Sequence, residues 1–165
     1  MMRNWDDITG EELKVEKVRQ AREEEMQYDH KMMVYEKRPI HECMQRTGRR
    51  PIPVRWIDVN KGDKYNEIYR SRLVAKDYNT GKRDDLFAAT PPVECLRMVL
   101  SAATTGPEPK AVMVNDVSRA YMYADCKQEV DVQLPKEDSK KEADKHMCCR
   151  LKKAMHGTRP AAQSW

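Results

Sequence analysis

Ala111-Val-Met-Val-Asn-Asp-Val-Ser-Arg-Ala-Tyr121 carries an apolar run into a polar turn closed by an aromatic. Val112 to Val114 is β-branched at both ends and too short for a helix, so it is expected as a short buried strand. Asp116 then stands at a strand end, on a rigid element at the edge of solvent. That position suits a magnesium ligand, because Mg²⁺ takes hard oxygens and is usually held by one or two carboxylates plus substrate phosphates. An Asp after a buried strand is more often an ordinary helix N-cap. Ser118, Arg119 and Ala120 follow, where backbone N–H groups at a helix start can meet a phosphate.

Upstream, Val54 to Val59 and Ile68 to Ala75 flank the turn Asn60-Lys61-Gly62-Asp63 and predict a β-hairpin with a longer loop. Alternation puts Arg70 and Arg72 on one face, with Tyr69, Leu73 and Ala75 on the other. Two guanidiniums about 7 Å apart can meet a polyphosphate together; the same pair also serves an exposed face kept soluble by charge. Thr90 resembles an N-cap with Pro91 at the first helical position, and Leu96, Val99, Leu100 and Ala103 form an apolar stripe expected in the core. Downstream, Val130, Val132 and Leu134 alternate as a strand, Lys136 to Lys145 reads as a charged flexible insertion, and Met147 to Leu151 resumes strand character. At the N-terminus Thr9-Gly10-Glu11-Glu12 has a capping-box pattern, predicting a long charged helix to about Lys37 with Glu23-Glu24-Glu25 on a solvated face. Pro39, Gly48, Pro51 and Pro53 mark the connection to the next unit. The domain division is therefore a helical lead-in over 1–50 and a second unit over 51–165.

Composition narrows the function classes. Charged residues make up 35% of the 165, with one Phe and a mean hydropathy of −0.91, so a large self-sufficient core is not expected. The net charge of +4 is uneven, since residues 41–83 hold 11 basic and 5 acidic side chains. That block is where a nucleic-acid or triphosphate contact is sought. No stretch approaches transmembrane length and the first residues lack the apolar core of a secretory signal, so an intracellular location, cytoplasmic or nuclear, without a membrane partner is expected. The five cysteines include no Cys-x-x-Cys pair, which argues against a disulfide framework or a zinc ribbon.

Four segments together resemble a known family. Asp116-Val-Ser-Arg-Ala-Tyr121 is similar to the first catalytic motif of Ty1/copia-type retrotransposon reverse transcriptases, Asp-Val-x-x-Ala-Phe/Tyr. Arg55-Trp56-Ile57 with Tyr69 to Lys76 resembles the family's Arg-Trp-Val and Tyr-Lys-Ala-Arg-Leu-Val-Ala-Lys. Asp85 to Pro92 is similar to its Asp-x-Thr-Phe-Ala-Pro loop, and Cys149 to Gly157 with Trp165 to Cys-Arg-Leu-Lys-Lys-Ser-Leu-Tyr-Gly ending in Trp. The four occur in the family's order.

The resemblance implies an α+β architecture, the fingers and the first part of the palm of a right-hand polymerase, truncated at the C-terminus. It implies RNA-directed DNA polymerisation with Mg²⁺ as cofactor, an RNA or DNA template-primer and dNTP as partners, and the remaining parts of a Pol polyprotein. Asp116 is implied as the ligand to both ions and the Val117 carbonyl as a further ligand. Arg119 and Ala120 are implied as backbone donors to the triphosphate, Arg70 and Arg72 as its neutralising cations, and Tyr121 as the ring beneath the sugar. Gly157 and Arg159 match the loop over the template base and nucleotide. Departures cluster here: His156 stands where Tyr is usual, and Thr158, Pro160, Ala162 and Gln163 replace Leu, Gln, Pro and Arg. The second carboxylate motif, Tyr-x-Asp-Asp, does not occur among the 165 residues, which implies inactivity of this chain alone. The alternatives are a non-enzymatic nucleic-acid-binding remnant of a transposon polyprotein and a partly disordered remnant with no biochemical role. If the hairpin meets nucleic acid, replacing Arg70 and Arg72 by alanine lowers the salt slope of single-strand binding by about 0.7 to 0.9 for each phosphate that is no longer neutralised. An unchanged slope in a binding titration against salt removes the hairpin from the interface.

Overall fold

The expected hairpin forms. In the computed structural model, which describes residues 3–78, 90–108, 110–139 and 141–164, β4 (Val54–Asn60) pairs antiparallel with β5 (Tyr69–Ala75), from Val54 opposite Ala75 to Asn60 opposite Tyr69. Side chains of β5 alternate as the pleat requires: Ser71, Leu73 and Ala75 are buried while Arg70 and Arg72 are half-exposed. Helix α1 (Val15–Lys31) crosses the buried face, and Met26 joins Leu73 and Ala75 in the core. A second sheet completes that core. Its order is β3 (Tyr35–Pro39), β7 (Met147–Leu151), β6 (Asp131–Gln133), all antiparallel, and it contributes Val132, Cys149 and Leu151. Backbone bonds Ile52 N–H to Asp131 O (2.9 Å) and Gln133 N–H to Ile52 O (2.8 Å) tie the segment before β4 to β6. The result is a small mixed domain of helices and strands.

Charged side chains make the joints between these layers. Arg22 of α1 grips Asp58 of β4 with two nitrogens (2.6 and 3.2 Å), while Ser71 Oγ donates to the same carboxylate at 2.6 Å. The guanidinium also lies over the Trp56 ring, 5.4 Å from its centroid. Breaking so enclosed a pair leaves an uncompensated buried charge, at about 3–5 kcal/mol. Asp131 is held likewise between Arg46 and Arg150.

Several expectations are corrected. Thr9-Gly10-Glu11-Glu12 does not cap a helix but turns a short hairpin between β1 (Asn4–Trp5) and β2 (Glu12–Leu13). The Asp6 carboxylate accepts the N–H groups of Ile8 and Thr9, and Gly10 takes φ 73°, which is turn chemistry rather than capping. The helix that follows ends at Lys31, not Lys37, because Met33 at φ 51° breaks the spiral and the chain enters β3. Residues 1–50, expected as helical, thus also supply a strand to the β7 sheet. The proline-marked connection contains α2 (Ile40–Thr47), stopped by Gly48 in the left-handed region at φ 65°. The run over 136–145 is not a flexible insertion where it is described. Asp138 is buried and accepts the Tyr35 hydroxyl at 2.8 Å, while Lys37 Nζ donates to its carbonyl at 2.8 Å.

Two apolar expectations fail together. Helix α3 (Val93–Thr104) begins after Pro92 rather than at Pro91, since a residue before proline is pushed out of helical backbone. Its stripe Leu96, Val99 and Leu100 is exposed. Val112 to Val114 forms no strand and is exposed as well, with Val114 at 89%. A strand needs a ladder partner for its N–H and C=O groups, and no described residue pairs with this run. The Asp85 to Ala89 part of the matched loop, and Trp165, lie outside the described residues.

Asp29, on the core side of α1, is 1% exposed and neither carboxylate oxygen has a described hydrogen-bond donor. Burial first, then Glu25, push its carboxyl from 3.8 up to about 7; Arg119 opposes this and Asp138 adds to it. A folded-state pKa raised above the unfolded one means the folded protein holds this proton more tightly. The stabilisation is therefore complete below about pH 4 and lost as pH rises through about 7, by up to ~4 kcal/mol. Asp29→Asn removes the loss, so the stability of the variant relative to wild type rises between pH 4 and 8 in urea titrations.

Candidate functional site

The exposed face of β5, the 116–123 segment and the turn after β7 converge on a cleft of about 320 Å³. Arg70 and Arg72, Asp116 to Tyr121, and His156 line it. Seven of the nine residues singled out in the sequence therefore meet in one place: Arg70, Arg72, Asp116, Val117, Arg119, Ala120 and Tyr121.

The two guanidiniums reach the cleft because of the strand pleat and because nothing described neutralises them. Arg72 Nε is buried with no acceptor among the described residues. Burial, then Arg70, hold the Arg72 guanidinium below its ordinary range, with Arg119 adding to this and Glu25 opposing it. Two like charges on one strand face each oppose the other's ionisation.

Arg119 has a divided role that its backbone explains. It adopts the left-handed region at φ 54° before a 3-10 turn, Ala120–Tyr123. Its side chain reaches α1, where Nη2 lies 2.8 Å from Glu25 Oε2 and the guanidinium stacks 4.2 Å from the Tyr28 ring centroid. Glu25 is 4% exposed, which corrects the expectation that Glu23 to Glu25 is a solvated face: three consecutive helical residues point three ways, and Glu25 points inward. Arg119 and Ala120 leave their own N–H groups without a described acceptor. Met122, 3% exposed, anchors the turn in the fold.

Asp116 lies at the mouth of the cleft and is exposed, in chain without regular structure rather than at a strand end. Tyr121 meets His156 edge-to-face, with ring centroids 4.8 Å apart at 72°. Burial, then Arg72 and Arg70, keep the His156 imidazole below its ordinary 6.5. His156 was not among the site residues chosen from sequence. Its one signal was its departure from the tyrosine usual in the matched motif.

Gly157 and Arg159 do not line the cleft. The backbone around Gly157 zips the turn to the end of β5: Ala75 N–H donates to His156 O (2.9 Å) and Asp77 N–H to Gly157 O (3.3 Å). The Arg159 backbone N–H donates to Asp77 Oδ2 at 2.9 Å. Gly157 sits at φ 78°, and a Cβ there would fall 2.1 Å from the Ala75 oxygen. A larger groove of about 920 Å³ lies elsewhere, lined by Ile40, Met44, Trp56 and Leu134 among others, and contains none of the nine residues. The smaller cleft is the better candidate because it joins cations, a carboxylate and N–H groups without an acceptor among the described residues.

Residues 42–165 match the reverse transcriptase (RNA-dependent DNA polymerase) family. The chain belongs to that family. It is also 29% identical over 124 residues to the retrovirus-related Pol polyprotein from transposon TNT 1-94 of Nicotiana tabacum, an alignment covering 72% of this chain and 9% of that protein. The Ty1/copia-type resemblance carried by the four motifs thus holds for this reverse transcriptase chain. The chain spans only that small share of its curated relative. No solved structure matches it.

Two glycines of this reverse transcriptase chain make a contrast. Gly10 and Gly157 both have positive φ, but a Cβ at Gly10 meets nothing within 4 Å. Gly10→Ala is expected to cost about 1 kcal/mol, and Gly157→Ala about 3 kcal/mol or more because backbone must move as well. Equal urea midpoints for the two variants contradict the close approach of the turn to β5.

Proposed function

We propose that this chain forms the fingers and the first part of the palm of a right-hand RNA-directed DNA polymerase, with residues 51–165 as the polymerase part and 1–50 as a lead-in braced on it. The observation that supports this is the convergence of Arg70, Arg72 and the Asp116 to Tyr121 motif on one cleft. Arg70 and Arg72 receive the outer phosphates of a dNTP, and the N–H groups of Arg119 and Ala120 receive its inner oxygens. Tyr121, held against His156, presents its ring to the sugar and penalises a ribose 2′-OH by contact and desolvation. Gly157 and Arg159 act from the turn beside the cleft, toward the template base.

The donor set suits Mg²⁺: the Asp116 carboxylate and the Val117 carbonyl are hard oxygens, and substrate phosphates supply others. Held by Asp116 and the Val117 carbonyl, Mg²⁺ would supply Lewis-acid activation for a primer 3′-oxygen and charge stabilisation for a leaving pyrophosphate. One motif carboxylate is too few for two such ions beside phosphates of like charge. The 165 residues are therefore proposed to act not alone but with a segment bearing Tyr-x-Asp-Asp, on an RNA or DNA template-primer and with other parts of a Pol polyprotein, inside the cell. A second reading, a non-enzymatic nucleic-acid binder, is favoured by the concentration of basic side chains over 41–83; it requires salt-dependent, Mg²⁺-independent binding.

The test is incorporation by this chain joined to a segment carrying Tyr-x-Asp-Asp. Asp116→Asn abolishes incorporation of both nucleotide types. Tyr121→Ala retains dNTP incorporation and shifts the ribo-to-deoxy ratio by roughly two to three orders of magnitude. An unchanged ratio in a folded Tyr121→Ala protein removes the tyrosine from sugar discrimination.

A further inference from the structure

His156 is the titratable ring of the cleft that the roles above leave without a function. It is half-buried, and its ring meets Tyr121 edge-to-face. Arg70 and Arg72 face it from β5, while Asp116 and Arg119 belong to the segment across the cleft. Arg159 and Asp77 stand beside its own turn, where the Asp77 carboxylate takes the Arg159 backbone N–H. Arg119 is neutralised by Glu25, and α4 (Ala161–Ser164) carries no charge. Among the described residues the charges that act on the imidazole are thus two guanidiniums: burial first, then Arg72 and Arg70, hold it below its ordinary range.

We propose that His156 is a third cation of this cleft, taking up a proton when a polyphosphate group seats between Arg70 and Arg72. The proposal rests on the polyphosphate assignment made for this cleft. A triphosphate reverses the local field: negative oxygens a few ångströms from the ring favour imidazolium where two guanidiniums opposed it. By linkage, the factor by which the anion strengthens proton binding is the factor by which the proton strengthens anion binding. A tyrosine here, as is usual in the matched motif, cannot make this exchange, because a phenol is already neutral and gains no positive charge. Polyphosphate binding to this chain therefore tightens as pH falls through the neutral range, by an amount that His156→Tyr removes.

The experiment is calorimetric titration of the 165-residue chain with inorganic triphosphate in EDTA at pH 6 and pH 8, each in two buffers of different ionisation enthalpy. Wild type is compared with His156→Gln, with His156→Tyr, which keeps an aromatic ring against Tyr121, and with Arg70→Ala/Arg72→Ala. Triphosphate itself titrates, so the readout is the affinity ratio of wild type to each His156 variant. That ratio is expected to be at least about fivefold larger at pH 6 than at pH 8, with excess proton uptake by wild type alone. A ratio that does not change with pH overturns proton coupling. If the double arginine variant has then also lost binding, the polyphosphate assignment survives that failure. Binding indifferent to every substitution, or no binding by wild type, overturns both.

Discussion

The two-residue period of β5 is the constraint on which the molecule depends. Ser71, Leu73 and Ala75 go under α1 and into the core, and the same pleat sends Arg70 and Arg72 to the cleft. A slip of one residue against β4 would bury both guanidiniums and expose Leu73, losing about 2 kcal/mol from that side chain alone before any charge is counted. The Arg22, Asp58 and Ser71 cluster resists such a slip, since its three members come from α1, β4 and β5 and meet only in the observed register. Stability and site geometry are therefore set by one pairing.

Charge in the cleft is managed by distance rather than by matching every cation. Glu25 neutralises Arg119 beneath the 3-10 turn, which ties the backbone of the motif to α1. Arg70 and Arg72 have no such partner among the described residues. The arrangement leaves a pair of cations, two N–H groups without a described acceptor and one exposed carboxylate around a space of about 320 Å³. Asp29 sits behind the Glu25 ion pair, so a buried carboxyl titrating near neutrality lies one helical turn from the residue that holds the motif in place.

Much of this was legible from residues alone. The hairpin could be read because alternation, a Gly-containing turn and β-branched runs all act within a few residues, and β7 for the same reason. The ordered motifs pointed to the family by themselves. The ends of the first helix could not be read: Tyr35 keeps helical spacing with Met32, but Met33 leaves the helix and Val34 is wholly buried, with its carbonyl accepting from Lys152 and Lys153. Those partners are more than a hundred residues away, beyond the reach of periodicity. Helix α3 and Val112 to Val114 were misjudged for the opposite reason, since hydrophobic pattern predicts burial only where something covers it.

The sequence by itself determined what each segment can do locally: which faces of β5 are apolar and basic, where glycine permits a turn, and which residues match the motifs of the family. Only the tertiary structure decided that Arg119 turns to Glu25, that Arg72 Nε is buried with no acceptor among the described residues, that His156 stands against Tyr121, and that Gly157 and Arg159 bond to Asp77 just past β5 rather than line the cleft. The division has a physical cause. Backbone propensity and side-chain alternation act between near neighbours, whereas the charge environment of a side chain is set by whatever long-range packing brings within a few ångströms of it.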